Sequence, residues 1–378
     1  SWIIDGTLAN IAWAPSLVSY NLSWEKIRTW NAGVDFGLFN NRLTGSFDYY
    51  IRKTDDMVGP SEKLPVVLGT AVPSSNNTNL KTFGWELELM WKDRLNNGLN
   101  YSARFTLADS RTKITRYSNP SGLIDGFYAG KYVGEIWGYE TIGIAQSDQE
   151  MAEHIGRLIN GGQSNLGQDW KAGDIMYKDL NEDGKIDAGS RTLQDHGDLK
   201  RIGNSTPRYN VGLELAADWK RFDIRMFWQG TLKRDYFQGS YYFWGANGRQ
   251  GPWFSTALKG HDDYFRNDET SPLGTNLNSY YPRPLFNTDK NQQSQTKYLQ
   301  DASYLRLKNL QIGYSLPHNI VQKMGMQHLR IFASGENLFT ITSLIDFFDP
   351  ESIEGGSWGH GNVYPLSRTF SFGLNVTF

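Results

Sequence analysis

The sequence contains no cysteine among its 378 residues, so neither disulfides nor thiolate-bound metals hold it together. It has no basic surplus. Lys and Arg number 38 against 40 Asp and Glu, a formal charge of -2, so nothing is in excess to neutralise the phosphates of a nucleic acid. No stretch approaches the roughly 18 consecutive apolar residues of a membrane-spanning helix. That excludes helical spans only, because a membrane β-barrel hides its lipid face in alternation. Catalytic signatures are missing as well. The 6 histidines are scattered, and no Gly-X-Ser-X-Gly, phosphate loop or zinc spacing occurs, so the chain does not read as an enzyme. Carboxylates such as Glu86 and Glu88 share a strand face, and charges lining a polar lumen account for them without chemistry.

What the chain does have is rings on a polar average. Aromatics make up 14% of residues while the mean hydropathy is -0.53. They fall in alternation. Phe370, Phe372, Leu374, Val376 and Phe378 alternate with Thr369, Ser371, Gly373, Asn375 and Thr377 up to the last residue. The same dyad runs through Trp30–Leu38 and Leu43–Ile51, joined at Asn40-Asn41, whose side chains tolerate a tight turn. It recurs through Trp85–Trp91 and Tyr101–Leu107, joined at Asn97-Gly98, and through Val211–Ala217 and Phe222–Trp228, joined at Trp219-Lys220-Arg221. Two later strands are expected near Asp301–Leu316 and Gln327–Thr340, linked through Pro317 and a short helix "HNIVQKMG". In the first the apolar phase slips between Leu307 and Leu310, which predicts a β-bulge. The longest amphipathic helix is "SDQEMAEHIGRLI", with Ser147 and Glu150 at capping-box spacing.

Short turns and long excursions alternate, the excursions being 54–81, 117–207, 234–300 and 341–366. Outer-membrane barrels have short periplasmic turns and long extracellular loops. The fold predicted is therefore all-β: a transmembrane antiparallel β-barrel. Glu86, Glu88, Arg104, Glu214 and Arg225 would face a polar lumen, and Trp30, Tyr49, Tyr50, Trp91, Tyr101 and Trp219 the interfacial girdles. Parity places Phe378 in the periplasm if 117–207 holds no crossing or an even number. About nine crossings result, an odd number that closes no barrel alone. The chain is thus expected to be the C-terminal portion of a larger barrel and, starting at Ser1 without a signal peptide, the later part of a longer precursor. The plainer alternative, a soluble sandwich, would not explain the loop asymmetry.

Several stretches resemble the SusC/RagA-like TonB-dependent transporters of Bacteroidota outer membranes. They include "NLSWEKIRTWNAGVDFGLFNNRLTGSFDYYIRKTDDM", "LKTFGWELEL", "GDIMYKDLNEDGKID", "YLRLKNLQIGYSLP", "LRIFASGENLFTITSLIDFFDPES" and "YPLSRTFSFGLNVTF", in family order across nearly the whole chain. The resemblance implies a barrel of about 22 strands with an N-terminal plug, the plug and signal peptide not lying in residues 1–378. It also implies a SusD-like lipoprotein as extracellular lid, TonB as energy source, and glycans or peptides as cargo. It marks Phe378 as an assembly signal. A non-transporting receptor or adhesin that displays long loops is the alternative, and a plug with a TonB box would decide against it.

Two motifs point to sites. In "DLNEDGKID", Asp179, Asn181, Asp183, Lys185 (by its carbonyl) and Asp187 stand at calcium-loop positions 1, 3, 5, 7 and 9, with Gly184 at the turn. Position 12 is Ser190 instead of a bidentate Glu, with Asp195 or Asp198 nearby, so a metal-free turn is the alternative. A bound Ca2+ would pin an excursion expected to have little core of its own. In "RDYFQGSYYFWGANGRQGPWF", Tyr241, Tyr242, Trp244, Arg249 and Trp253 are candidates for substrate or lid contact, since exposed rings mark interfaces, with packing against neighbouring loops as the alternative.

Overall fold

Strict apolar–polar alternation makes a strand with two chemically different faces, and a slip of one residue would exchange them. Nine such strands form one antiparallel sheet. They are β1 (Lys26–Leu38), β2 (Leu43–Gly59), β3 (Ser75–Arg94), β4 (Asn100–Arg116), β5 (Arg208–Trp219), β6 (Phe222–Lys233), β7 (Tyr304–Ser315), β8 (His328–Thr342) and β9 (Thr369–Thr377). Each pairs with its neighbour in sequence, so the sheet is a simple meander. The structure is a computed structural model. It describes residues 22–59, 72–246, 257–353 and 364–378, with Ser19, Gly248, Ser255 and two short backbone pairings near the start of the chain. Among the described residues, β1 and β9 carry no partner on their outer edges, so the sheet is an open wall.

Register carries the alternation across the sheet. Leu89 lies opposite Phe105, Phe105 opposite Leu213, Leu213 opposite Trp228, Trp228 opposite Leu307, and Leu307 opposite Phe339. One face is therefore a continuous apolar surface, and it ends on Phe372, which is 84% exposed, and Phe378, 80% exposed. No part of the described chain covers it. The other face is polar: Arg104 forks onto Glu88 at 3.0 and 2.8 Å, and Arg330 donates to Asp223 at 2.9 Å. Glu86, Glu214 and Arg225 share this face.

Turn chemistry matches the short connections. Asn40 and Asn41 take φ of 57° and 62°, Gly98 takes 82° and Lys220 takes 57°. The expected bulge lies at Lys308, which is skipped between the pairs Phe227–Asn309 and Trp228–Leu307. The linking helix is His318–Lys323. Ser147 caps the helix Asp148–Gly156 by accepting from the Glu150 amide, while the Glu150 carboxylate takes the amide of Gln146 instead of that of the cap residue.

Two expectations change. β2 and β3 run on past Thr54 and begin before Lys81, shortening that excursion to 60–74. Tyr50 is not a girdle residue. It lies on the polar face over its cross-strand partner Gly84, where a Cβ would come within 2.8 Å of its ring. Trp30 packs edge-on to Tyr49 and Trp91 donates to the Tyr101 hydroxyl at 3.3 Å, both in the outward alternation.

The segment 117–207 contributes no strand to the sheet, as parity requires. It folds instead above the long-loop rim. Residues 1–378 contain no cysteine, so a Cys at Asn97 (short-turn side) and one at Ile159 (83% exposed, long-loop side) test the topology against the protein without them. In the complete protein, Ile159→Cys should label on intact cells and Asn97→Cys only after permeabilisation. Adding Phe378→Asp should lower the surface signal by impairing assembly. Equal labelling of both sites on intact cells contradicts the topology.

Candidate functional site: a folded cap on the long-loop rim

A loop of some ninety residues cannot bury its backbone groups without a core. The core is here, and not in the sheet. Ile124, Tyr139, Ile175, Tyr177 and Ile186 from 117–207 pack with Tyr236, Phe243, Tyr281 and Tyr298 from 234–303 and with Leu344, Phe348 and Ile353. The expectation of an excursion with little core of its own is thus overturned: three excursions share one. The ring cluster is dense, with Trp244 4.7 Å from Tyr298 and Tyr139 5.4 Å from Tyr177, centroid to centroid. Burial raises the pKa of Tyr177 and Tyr298 well above that of a free phenol.

A buried polar knot joins the first two excursions. Asp174 is fully buried. It accepts from Arg283 at 2.6 and 2.7 Å, from Asn291 at 2.8 Å and from the Lys171 amide at 2.9 Å. Lys290, 1% exposed, sits 2.9 Å from the same carboxylate. Its ammonium also donates to the carbonyls of Gln168 and Asp169 and lies 4.5 Å from the centroid of the Trp170 ring. Burial works against the charged carboxylate, but the bonds from Arg283, Asn291 and Lys290 outweigh it and hold the pKa of Asp174 below the ordinary range. For Lys290 burial dominates, and its pKa falls. Gly173 lets the chain enter the knot at φ +84°, where a Cβ would meet Phe265 at 2.4 Å. Arg306 anchors the third excursion through Asp349 at 2.8 Å and Glu351 at 2.9 Å.

The calcium-type loop packs against this cap. Asp179 accepts from the Gly184 amide at 2.8 Å, Asn181 from the Asp183 amide and Asp183 from the Lys185 amide. Gly184 turns at φ +81°. Asp198 is buried and occupied by the amides of Leu180 and Asp187, and Asp195 by Ser190. Asp179 Oδ1 is buried without a partner, which suits a cation. The Lys185 ammonium, however, reaches Asp187 at 2.6 Å and Asp183 at 3.7 Å. Among the described residues no three acidic, His or Cys side chains converge as a metal site.

The aromatic segment divides. Tyr241 and Tyr242 are half-buried on a short helix, Tyr241–Trp244, their ring centroids 4.3 Å apart and their planes tilted by 33°. Trp244 is 6% exposed and belongs to the core, so it is no surface ring. Arg249 and Trp253 lie outside the described residues. Beside Trp244 a cavity of about 430 Å³ is lined by Ala246, His261, Tyr264, Tyr281, Pro284 and Phe286 among others. No local pattern marks Asp174, Lys290 or Tyr281 as organising residues, although "GDIMY" and "YYPRP" contain two of them.

An open antiparallel wall with one apolar face, a polar inner face and a cap on one rim is the geometry of an outer-membrane barrel segment. Residues 6–338 match the family described as TonB dependent receptor-like, beta-barrel. The chain belongs to that family. It is 29% identical over 95% of its length to TonB-dependent receptor P3 of Formosa agariphila and 26% identical over 96% to TonB-dependent receptor SusC of Bacteroides thetaiotaomicron. It spans 34% and 33% of those relatives. A solved structure of the RagAB peptide transporter superposes with a TM-score of 0.65 at 24% identity, covering 94% of this chain and 36% of that one, and so shares the fold. The apolar face is therefore the lipid face of an outer-membrane barrel, and the family is not a catalytic one.

Asp174→Asn should leave Lys290 and Arg283 short of charge in a dry site, at a cost of roughly 3–5 kcal/mol borne by the cap. Limited proteolysis should then cut within 117–207 while the barrel stays heat-modifiable. The sign follows from the lowered pKa: the knot's contribution is complete above the unfolded pKa of about 4 and is lost as pH falls through the lower folded value. Unchanged protease resistance would refute the knot.

Proposed function

We propose that this chain forms part of the wall and outer rim of an outer-membrane nutrient importer. The importer is energised through TonB, closed from outside by a SusD-like lipoprotein, and carries oligosaccharides or peptides. One observation carries the reading: a cap with its own core stands on the long-loop rim of a lipid-facing sheet. A display protein needs loops, whereas a lid needs a rigid seat, and the shared core supplies one. The likeness to SusC and to the RagAB peptide transporter supports the lid, the latter being a peptide transporter, and oligosaccharides as cargo rest on the resemblance to SusC/RagA-like transporters alone. TonB would act through a region outside this chain. To test the reading, the complete protein is tagged and purified from its natural membrane. A surface lipoprotein should co-purify, and deletion of the gene should abolish uptake of at least one oligosaccharide or peptide mixture. Isolation without a partner together with unchanged uptake favours the receptor or adhesin.

We also propose that the 179–187 loop takes Ca2+ outside the cell once Lys185 leaves Asp187. Side chains of Asp179, Asn181, Asp183 and Asp187 and the Lys185 carbonyl would hold it, and the ion would stiffen the loop. Roughly 1 mM calcium should then slow proteolysis of 179–198, and Asp179→Ala should erase the effect. Identical digestion in chelator and in calcium makes the loop a simple turn.

A further inference from the structure

The outward alternation of the first four strands changes character towards the long-loop rim. Ala32, Tyr49 and Trp85 share one cross-strand row, and Trp30, Ile51 and Phe83 share the next, one step nearer the rim. One step further, the register sets four cations side by side. Arg28 lies opposite Lys53, Lys53 opposite Lys81, and Lys81 opposite Lys113. Residues two apart share a strand face, so this row points the same way as the aromatic rows beneath it. The row is local. At the short-turn end the same face closes on Leu38, Leu43, Trp91 and Ala103, and towards the rim β7 and β8 carry Leu305 and Ile341.

Like charges directly opposite one another in a sheet repel. Neighbouring strands lie about 4.8 Å apart, so Lys53, Lys81 and Lys113 stand within roughly 10 Å. The carboxylates nearby are already taken. Asp55 pairs with Arg28, Asp56 with Lys26 and Arg116, and Asp109, two rows below Lys113, with Arg208. Among the described residues no carboxylate is left for Lys53, Lys81 or Lys113. The Lys113 ammonium lies 5.6 Å from the centroid of the Tyr132 ring, and the Arg111 guanidinium lies 4.2 Å from it. A row of ammonium groups without carboxylates calls for an anion, and its place beside lipid-facing rings calls for one that carries an apolar chain. We propose that Lys53, Lys81 and Lys113 bind the phosphate of a lipid headgroup, with its acyl chains lying on Trp30, Ile51, Phe83 and Trp85. A soluble phosphate would satisfy the charge but would gain nothing from those rings. Lysine suits the task, because its flexible stem follows apolar surface while its compact charge meets phosphate oxygens. The bound headgroup offsets the repulsion within the row. This rests on the outer-membrane setting of the wall and not on the importer reading.

The complete protein, in an uncharged detergent at about 100 mM salt, is titrated with phosphatidic acid, phosphatidylcholine and soluble glycerol phosphate, and bound lipid is read by native mass spectrometry. Phosphatidic acid should be held at least about 10-fold more tightly than phosphatidylcholine, as several lysines around one phosphate require. The triple change Lys53→Gln, Lys81→Gln and Lys113→Gln should erase that preference. Removing as many charges at the short-turn end, through the exposed Lys92→Gln, Lys220→Gln and Lys323→Gln, should alter it less than about 2-fold. Each variant is first checked for a heat-modifiable barrel. Should the triple variant fail to assemble, Lys81→Gln alone, at the centre of the row, decides: about 5-fold weaker retention is expected, and unchanged preference overturns the proposal. Equal retention of the two lipids, or equal loss in the rim and short-turn variants, would overturn it in favour of charge attraction without a site. Displacement of phosphatidic acid by glycerol phosphate at equal concentration would make the row a site for soluble anions and overturn the lipid assignment.

Discussion

An apolar sheet face that the chain itself does not cover must find an apolar solvent, and everything else in this protein follows from that. Leu89, Phe105, Leu213, Trp228, Leu307 and Phe339 form one row across six strands, on the side where no helix or second sheet packs among the described residues. In water such a face would drive association at about 25 cal/mol for each Å². In lipid it costs nothing, but every backbone group must then be paired within the sheet. The meander meets that demand internally, and its outer edges, at β1 and β9, carry no partner among the described residues.

Lipid also removes the usual place for a hydrophobic core. The sheet cannot keep one on its outer face, and its inner face is given to Glu88–Arg104, Asp223–Arg330 and their neighbours. The core moves to the cap, where water surrounds the structure and burial is rewarded again. The Asp174 knot sits where two excursions must agree on one arrangement. Alternative packings would leave Asp174 or Lys290 buried without its partner, and that penalty selects the observed one. A rim fixed in this way can seat a lid and shape a pocket.

How much of this was legible follows from distance along the chain. Strands, their parity and the Lys308 bulge were readable because alternation is local and a phase slip shows within a few residues. Tyr50 was misplaced because it adjoins Tyr49 near a strand end and reads like a girdle aromatic, and the cross-strand register places it over Gly84 on the polar face. The cap was not readable. Asp174 meets Arg283 across 109 residues, and no local period announces such a pair. Trp244 read as a surface ring for the same reason: its partners Tyr281 and Tyr298 lie far along the chain. The calcium spacing was legible, whereas the ammonium of Lys185 resting on Asp187 was not, since spacing says nothing of which way a lysine folds.

The lipid-facing alternation is measured most directly by spin labels. Single cysteines at Gly212, Leu213, Glu214 and Leu215 along β5 would carry nitroxides in the assembled barrel in bilayers. Relaxation by oxygen, which concentrates in lipid, should dominate at Leu213 and Leu215, and relaxation by a water-soluble nickel chelate at Gly212 and Glu214. A period of two between the reagents is the result the account predicts. Uniform accessibility along the strand, or nickel dominance at Leu213 and Leu215, would contradict it.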